Sequence, residues 1–191
     1  ILDKVLKSKE TLSFYIAQSA KKLYYRTTGG LYWKVFTDFP PKFFANGIEG
    51  SSSRETKVSI KQDYNVSFVA LFSSNLFWWW YTITSNLRDL NPSDLSGFKF
   101  SNSLINDNLL FELGKKYLDD LIKNSTMLQR VQKNKGITLT QSFKINLSKS
   151  IIDEIDKVLA KHYGFTEEEL DFIINYDIKY RMGSELNAEE E

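Results

Sequence analysis

The sequence predicts an α+β fold. It reads as a mixed single domain with N-terminal strands and a β-hairpin, a buried central helix over about residues 65–84, and C-terminal helices. Three observations predict this. Aromatic-rich segments bounded by turn residues crowd the first 60 residues. From Tyr64 to Leu87 no residue is charged, and that run holds three consecutive tryptophans. Beyond it, apolar residues recur at helical spacing between recognisable capping residues. With 191 residues, 42% of them hydrophobic and only 9 Gly and 3 Pro, the chain can bury a real core. The domain is expected over residues 1–183, with 184–191 as an acidic flexible tail.

Taken in order, "ILDKVLKS" reads as one or two helical turns, and "LSFYIA" and "KLYYR" as short strands. "YYRTTGGLYWKVF" sets two aromatic strands around Thr27, Thr28, Gly29 and Gly30. Paired glycines supply the positive φ of a tight turn, so a hairpin is expected. The double proline of "DFPPKFF" cannot continue a ladder and marks an irregular connection. "ANGIEGSSS" is loop by composition, and "RETKVSIKQ" returns to strand-like alternation. Asp63 or Asn65 could cap the central helix. "NLRDLNPSDLSGF" reads as polar loop with a turn at Asn91-Pro92. In "NDNLLFELGKKYLDDLIKNSTMLQRVQ", Leu109, Leu110, Leu113, Tyr117, Leu118, Leu121 and Ile122 have helical spacing. "KGITLTQSFKINL" alternates as one more strand. "SKSIIDEIDKVLAKHYG" runs as a helix from a Ser cap to Gly164. "TEEELDFIINYDIKYRMG" opens on the capping box Thr166 and Glu169, with an apolar stripe at Leu170, Ile173, Ile174 and Ile178. Strands are expected mainly early and helices late.

Several chemistries are missing. Without Cys there is no disulfide, thiolate nucleophile or cysteine zinc site, and a reducing cytoplasm fits. His162 is the one histidine, so no Ser-His-Asp triad or histidine metal cluster can form; it reads as a surface or C-cap histidine at a helix end. Asp38 with Glu55-Thr56-Lys57, and Asp177-Ile178-Lys179, spell acid-x-Lys pairs of the kind that metal nucleases use. In a chain with 26% charged residues such pairs arise readily by chance. The opening "ILDKVLKSKE" lacks an apolar signal segment and begins on Ile1, so the chain is expected to be a piece of a longer protein. A membrane span is not expected: from Val66 to Ile83 only 13 of 18 residues are apolar, and basic flanks are missing. Three adjacent tryptophans on a helix point about 100° apart, which suits a core and not a stacking platform.

Charge is unevenly spread. The first 150 residues carry 21 Lys/Arg against 12 Asp/Glu, and the last 41 carry 4 against 12. The basic part suggests an anionic partner; the alternative is that the acidic end merely solvates helix faces and a tail. Candidate DNA contacts cluster in polar segments beside aromatic scaffolding. Arg26, Thr27, Thr28, Gly29, Gly30, Trp33 and Lys34 lie on or beside the hairpin. Asn86, Arg88 and Asp89 form a second group, and Arg54 with Ser51–Ser53 a third. Arg suits guanine, Asn adenine, and Thr hydroxyls and glycine N–H groups reach bases or phosphates. The plainer alternatives are an ordinary hairpin with one exposed cation, and a local Asp89–Arg88 pair or Asx turn. The lysines of 115–135 read as a solvated helix face.

Three segments in this order, "LYYRTTGGLYWKVFTDFPP", "ALFSSNLFWWWYTITSNLRDLNPSDL" and "LDFIINYDIKYRMG", carry a family resemblance. The chain resembles the C-terminal target-recognition (specificity) region of adenine-specific DNA methyltransferases, the fused type II (type IIG-like) restriction–modification enzymes and related phage-defence methylases. The resemblance implies double-stranded DNA as a partner, together with a methyltransferase domain of the same parent chain that uses S-adenosylmethionine. The family's catalytic Asn/Asp-Pro-Pro-Tyr/Phe signature lies upstream of this region. Phe39-Pro40-Pro41-Lys42 imitates it in spelling only, because Phe39 cannot hold an adenine amino group and Lys42 cannot stack on a flipped base. The piece is therefore expected to be non-catalytic alone and to bind no cofactor itself. A protein-interaction module docking a partner subunit through an aromatic surface is the competing expectation.

Overall fold

The structure, a computed structural model, describes residues 1–18, 21–28, 34–62, 64–132 and 136–182. Its helices are α1 (Leu2–Leu6), α2 (Tyr64–Ser73), α3 (Asn75–Thr84), α4 (Pro92–Gly97), α5 (Asn102–Ile105), α6 (Asn108–Lys123), α7 (Lys149–Tyr163), α8 (Glu167–Asn175) and α9 (Ile178–Arg181). Its strands are β1 (Lys22–Arg26), β2 (Phe36–Thr37), β3 (Phe43–Ala45), β4 (Ile48–Gly50), β5 (Glu55–Ser59), β6 (Ser125–Gln132) and β7 (Gly136–Phe143). They form two antiparallel sheets, ordered β2-β1-β5 and β4-β3-β7-β6, so the predicted α+β class holds.

The uncharged run forms the centre. Every residue of α2 from Asn65 to Ser73 is buried, as expected of a helix that is apolar on all sides. It packs against β1 and β2 and against α6 and α7. At Gly114 of α6, a Cβ would fall 2.7 Å from the Val66 carbonyl oxygen, so only glycine permits this approach of α6 to α2. Phe36, Phe72 and Phe77 interlock with ring centroids 4.9–5.8 Å apart, and Phe98 and Trp80 extend the cluster. Trp78, Trp79 and Trp80 are 5–8% exposed and belong to this core.

The expected single helix over 65–84 is two helices. Ser74 is extended (φ −68°, ψ 157°), accepts a hydrogen bond from the Phe77 N–H at 3.0 Å and donates to the Leu71 carbonyl at 2.7 Å. The Asp156 carboxylate accepts from the Asn75 and Leu76 N–H groups, both at 3.0 Å, and so completes the new N-terminus. Asn65 lies inside α2 and does not cap it; Asp63 lies outside the described residues. Neither ten-residue helix reaches the roughly 30 Å of a bilayer core. Among the described residues no helix is long and apolar enough to cross a membrane.

Other boundaries also differ from the expectation. "LSFYIA" forms a 3-10 turn at Leu12–Tyr15, followed by a single bridge from Ile16 to Ile60. β1 and β2 do pair as a hairpin, but register Tyr25↔Phe36 leaves a wide loop instead of a tight turn. "ANGIEG" is a second hairpin, β3–β4, whose turn residues Asn46 and Gly47 have φ of 51° and 81°. α4 rises from the predicted polar loop on the Asn91–Asp94 capping box. α6 stops at Lys123, and the following residues form β6, so "NSTMLQRVQ" is not helical. Thr166–Glu169 and Gly164 cap as expected. The last helix, however, breaks at Asp177 (φ 54°), and of its predicted stripe only Ile173 is fully buried. Residues 184–191, the expected acidic tail, lie outside the described residues.

Candidate nucleic-acid interface

β1 alternates. Leu23 and Tyr25 point into the core, while Lys22, Tyr24 and Arg26 line the other face with Glu55, Lys57 and Ser59 of β5 directly opposite. Arg26 ends the strand, and its Nε lies 3.8 Å from the Glu55 carboxylate. Burial pushes the Glu55 carboxyl up to about 7, with Arg26 opposing the shift. Arg26 Nε and Thr28 Oγ1 are both buried and make no hydrogen bond within the described fold.

Thr27 is the junction of the three segments singled out in the sequence. Its N–H donates to the Arg54 carbonyl at 3.0 Å, and its hydroxyl reaches the same oxygen at 3.3 Å. Its own carbonyl accepts from the Leu90 N–H at 2.8 Å. Backbone bonds therefore tie the hairpin, the Ser51–Arg54 turn and the 86–91 loop into one surface. Ser52 shapes its turn by accepting from the N–H groups of Arg54 and Glu55, through side chain and carbonyl respectively.

The 86–91 loop is held from within. Leu90 is fully buried, and Leu87 takes a left-handed φ of 60°. Asn86 Oδ1 accepts from the Arg88 N–H at 3.0 Å, an Asx turn; Asn91 Nδ2 donates to the Asp89 carbonyl at 3.1 Å. Arg88 is left 86% exposed, with its Nε 3.8 Å from Asp89. That spacing in water adds little stability, so the guanidinium is available to a ligand. Asn86 and Arg54 are exposed beside it.

Lys34 does not belong to this surface. It is only 8% exposed, and its ammonium sits 5.3 Å over the ring of Tyr81. Burial lowers its pKa, while Asp89 and Asp94 oppose that shift. Expected as a hairpin contact, Lys34 is instead an inward prop behind the 86–91 loop. Gly29, Gly30 and Trp33 lie outside the described residues.

The remaining chemical candidates resolve into structural roles. His162 Nε2 lies 2.7 Å from Asp107 Oδ2, and Asp107 caps α6 through the N–H groups of Leu109 and Leu110, so the histidine clamps two helix ends. Phe39 packs on Phe143 in the link between β2 and β3. Among the described residues no group of three or more His, Asp or Glu side chains is placed to hold a metal ion. The docking alternative needed a tryptophan surface, yet Trp78–Trp80 are buried. Glu55, noted in the sequence only for its acid-x-Lys spelling, stands opposite Arg26; that register depends on strand pairing, which no local pattern reveals. No family model matches the chain, and comparison with curated proteins and with solved structures finds no match.

Proposed function

We propose that this chain is a sequence-specific DNA-recognition module that serves an adenine-specific methyltransferase domain of the same parent protein in the cytoplasm. The observation that carries it is the convergence at Thr27. Three polar segments, selected separately for residue types that read or grip DNA, are joined by main-chain hydrogen bonds into one face bearing Arg26, Arg54, Asn86 and Arg88. Arg88 and Asn86 have the chemistry for base edges; Arg54 has that for phosphate. The unsatisfied Arg26 Nε and Thr28 Oγ1 supply polar groups that a ligand or water would complete. The transferred methyl group would come from S-adenosylmethionine bound by the partner domain, and this module would set which adenine is presented.

The test is titration of the purified chain against a randomised duplex pool at several salt concentrations, with sequencing of the retained fraction. The reading expects enrichment of one short sequence. Equal retention of every sequence, or no binding at low salt, sinks it.

A further inference from the structure

The β4-β3-β7-β6 sheet takes no part in the surface around Thr27. Its strands pack chiefly on one another, and β6 leaves a whole edge uncovered. Side chains on it are exposed: Val131 at 78% and Ile48 at 74%, with Met127, Leu128 and Ile137 also in water. The charge here is one-sided. From residue 121 to 152 the sequence has six Lys/Arg and no Asp/Glu. Lys42, Lys123, Arg130 and Lys144 are exposed on the sheet or at its base, with Glu49 the one carboxylate on its described strands. Much of the basic excess of the first 150 residues is thus carried by a projecting β-arm, not by the helix face to which the sequence pattern assigned it.

We infer that this arm is a second duplex-DNA contact, gripping the phosphate backbone beside the site read by the 86–91 loop. Charge complementarity selects the occupant, because a surface with several cations and one carboxylate matches a polyanion. Shape agrees: β6 and β7 each have eight residues, roughly 26 Å of strand, and a two-stranded ribbon fits a major groove about 12 Å wide. The exposed apolar side chains have partners there as well, in thymine methyl groups and unstacked base steps. The inference rests on the DNA-recognition reading and adds a sequence-independent grip to it.

The experiment compares the whole 191-residue chain with a triple variant, Lys42→Ala/Arg130→Ala/Lys144→Ala, and with Arg88→Ala. All three substituted arm residues are exposed, and thermal melting would verify that the triple variant folds. Duplex binding is measured at several salt concentrations. The expected result for the triple variant is about tenfold weaker binding at low salt for every sequence, and a salt slope lower by about 2.7. Its ranking of sequences stays that of the unaltered chain, whereas Arg88→Ala changes the ranking. If the unaltered chain binds no duplex, the recognition reading itself fails and takes the arm with it. If the unaltered chain binds and the triple variant matches it in affinity and slope, the arm assignment alone is overturned. Unchanged duplex binding with lost retention on phosphatidylserine vesicles would likewise overturn it and make the arm a membrane-surface element.

Discussion

Arg88 and Arg54 share one surface but are held differently, and the difference decides what each does. Arg88 projects from a loop fixed by the Asx turn of Asn86 and the buried anchor Leu90, so its position is set relative to a base edge. Arg54 sits in a serine turn and presents a cation without a fixed frame. Arg88→Ala should therefore cost about 1–3 kcal/mol of binding and relax preference at one base position. Arg54→Ala should weaken all duplexes alike and lower the salt slope by about one. Competition binding against single-base variants of the enriched site separates the two. Glu55 adds a pH dependence. Its folded-state pKa of about 7 lies above the ordinary 4.5, so the folded protein binds the proton more tightly. The associated stability is complete below about pH 4.5 and is lost as pH rises through about 7, on the order of 2 kcal/mol. Below about 7 the neutral Glu55 also leaves the Arg26 charge uncompensated. Duplex binding should strengthen as pH falls from about 8 to about 6 in the unaltered chain and stay flat in Glu55→Gln, read by fluorescence anisotropy.

At the scale of elements, what the sequence revealed depended on whether the deciding contact was local. Thr166–Glu169 and Gly164 are caps whose partners lie within a few residues, and both were legible. The Asn46-Gly47 hairpin was legible too, since Asn-Gly is a strong turn signal, but the neighbouring serines and glycines disguised it as loop. Two other boundaries were not. Met127, Leu128 and Val131 continue the spacing of α6, yet Ser125–Gln132 pairs along its full length with β7 as a strand, a contact from across a turn. The break at Ser74 needs the Asp156 carboxylate, 82 residues away in sequence, to hold the new helix end. Gly114 carries an equally remote constraint, and it can be tested. Gly114→Ala drives a methyl group into the Val66 carbonyl and Cγ1, at 2.7 and 2.9 Å, where backbone must move. The expected loss is about 1–3 kcal/mol despite alanine's better helix propensity, measured by urea unfolding. An increase in stability would show that α6 and α2 can separate freely.

Across the whole molecule, recognition and stability sit at opposite ends of α3. The C-terminal end leads into the 86–91 loop, pinned to Thr27 by the Leu90 N–H. The N-terminal end is buried in a charged network: Asp156 accepts from Asn75 Nδ2 at 2.7 Å, and Arg181 of α9 donates to Asn75 Oδ1. The Arg181 guanidinium lies 5.7 Å from the Trp78 ring. Desolvation raises the pKa of Asp156 and lowers that of Arg181, with each charge opposing the other's shift. Removing one partner strands the other in a dry core, so Asp156→Ala or Arg181→Met should each cost about 3–5 kcal/mol. The pair Asp156→Asn/Arg181→Met should cost less than the sum of its two single changes, because no uncompensated charge is left. None of this was readable from composition, since residues 75, 156 and 181 meet only in the fold. Because the loop has its own pin at Thr27, Arg181→Met should lower the urea midpoint yet leave the ranking of duplex sequences unchanged under conditions where it remains folded. A folded Arg181→Met protein with a reordered sequence preference would show instead that α3 transmits its N-terminal packing to the loop, and that the two ends are one device.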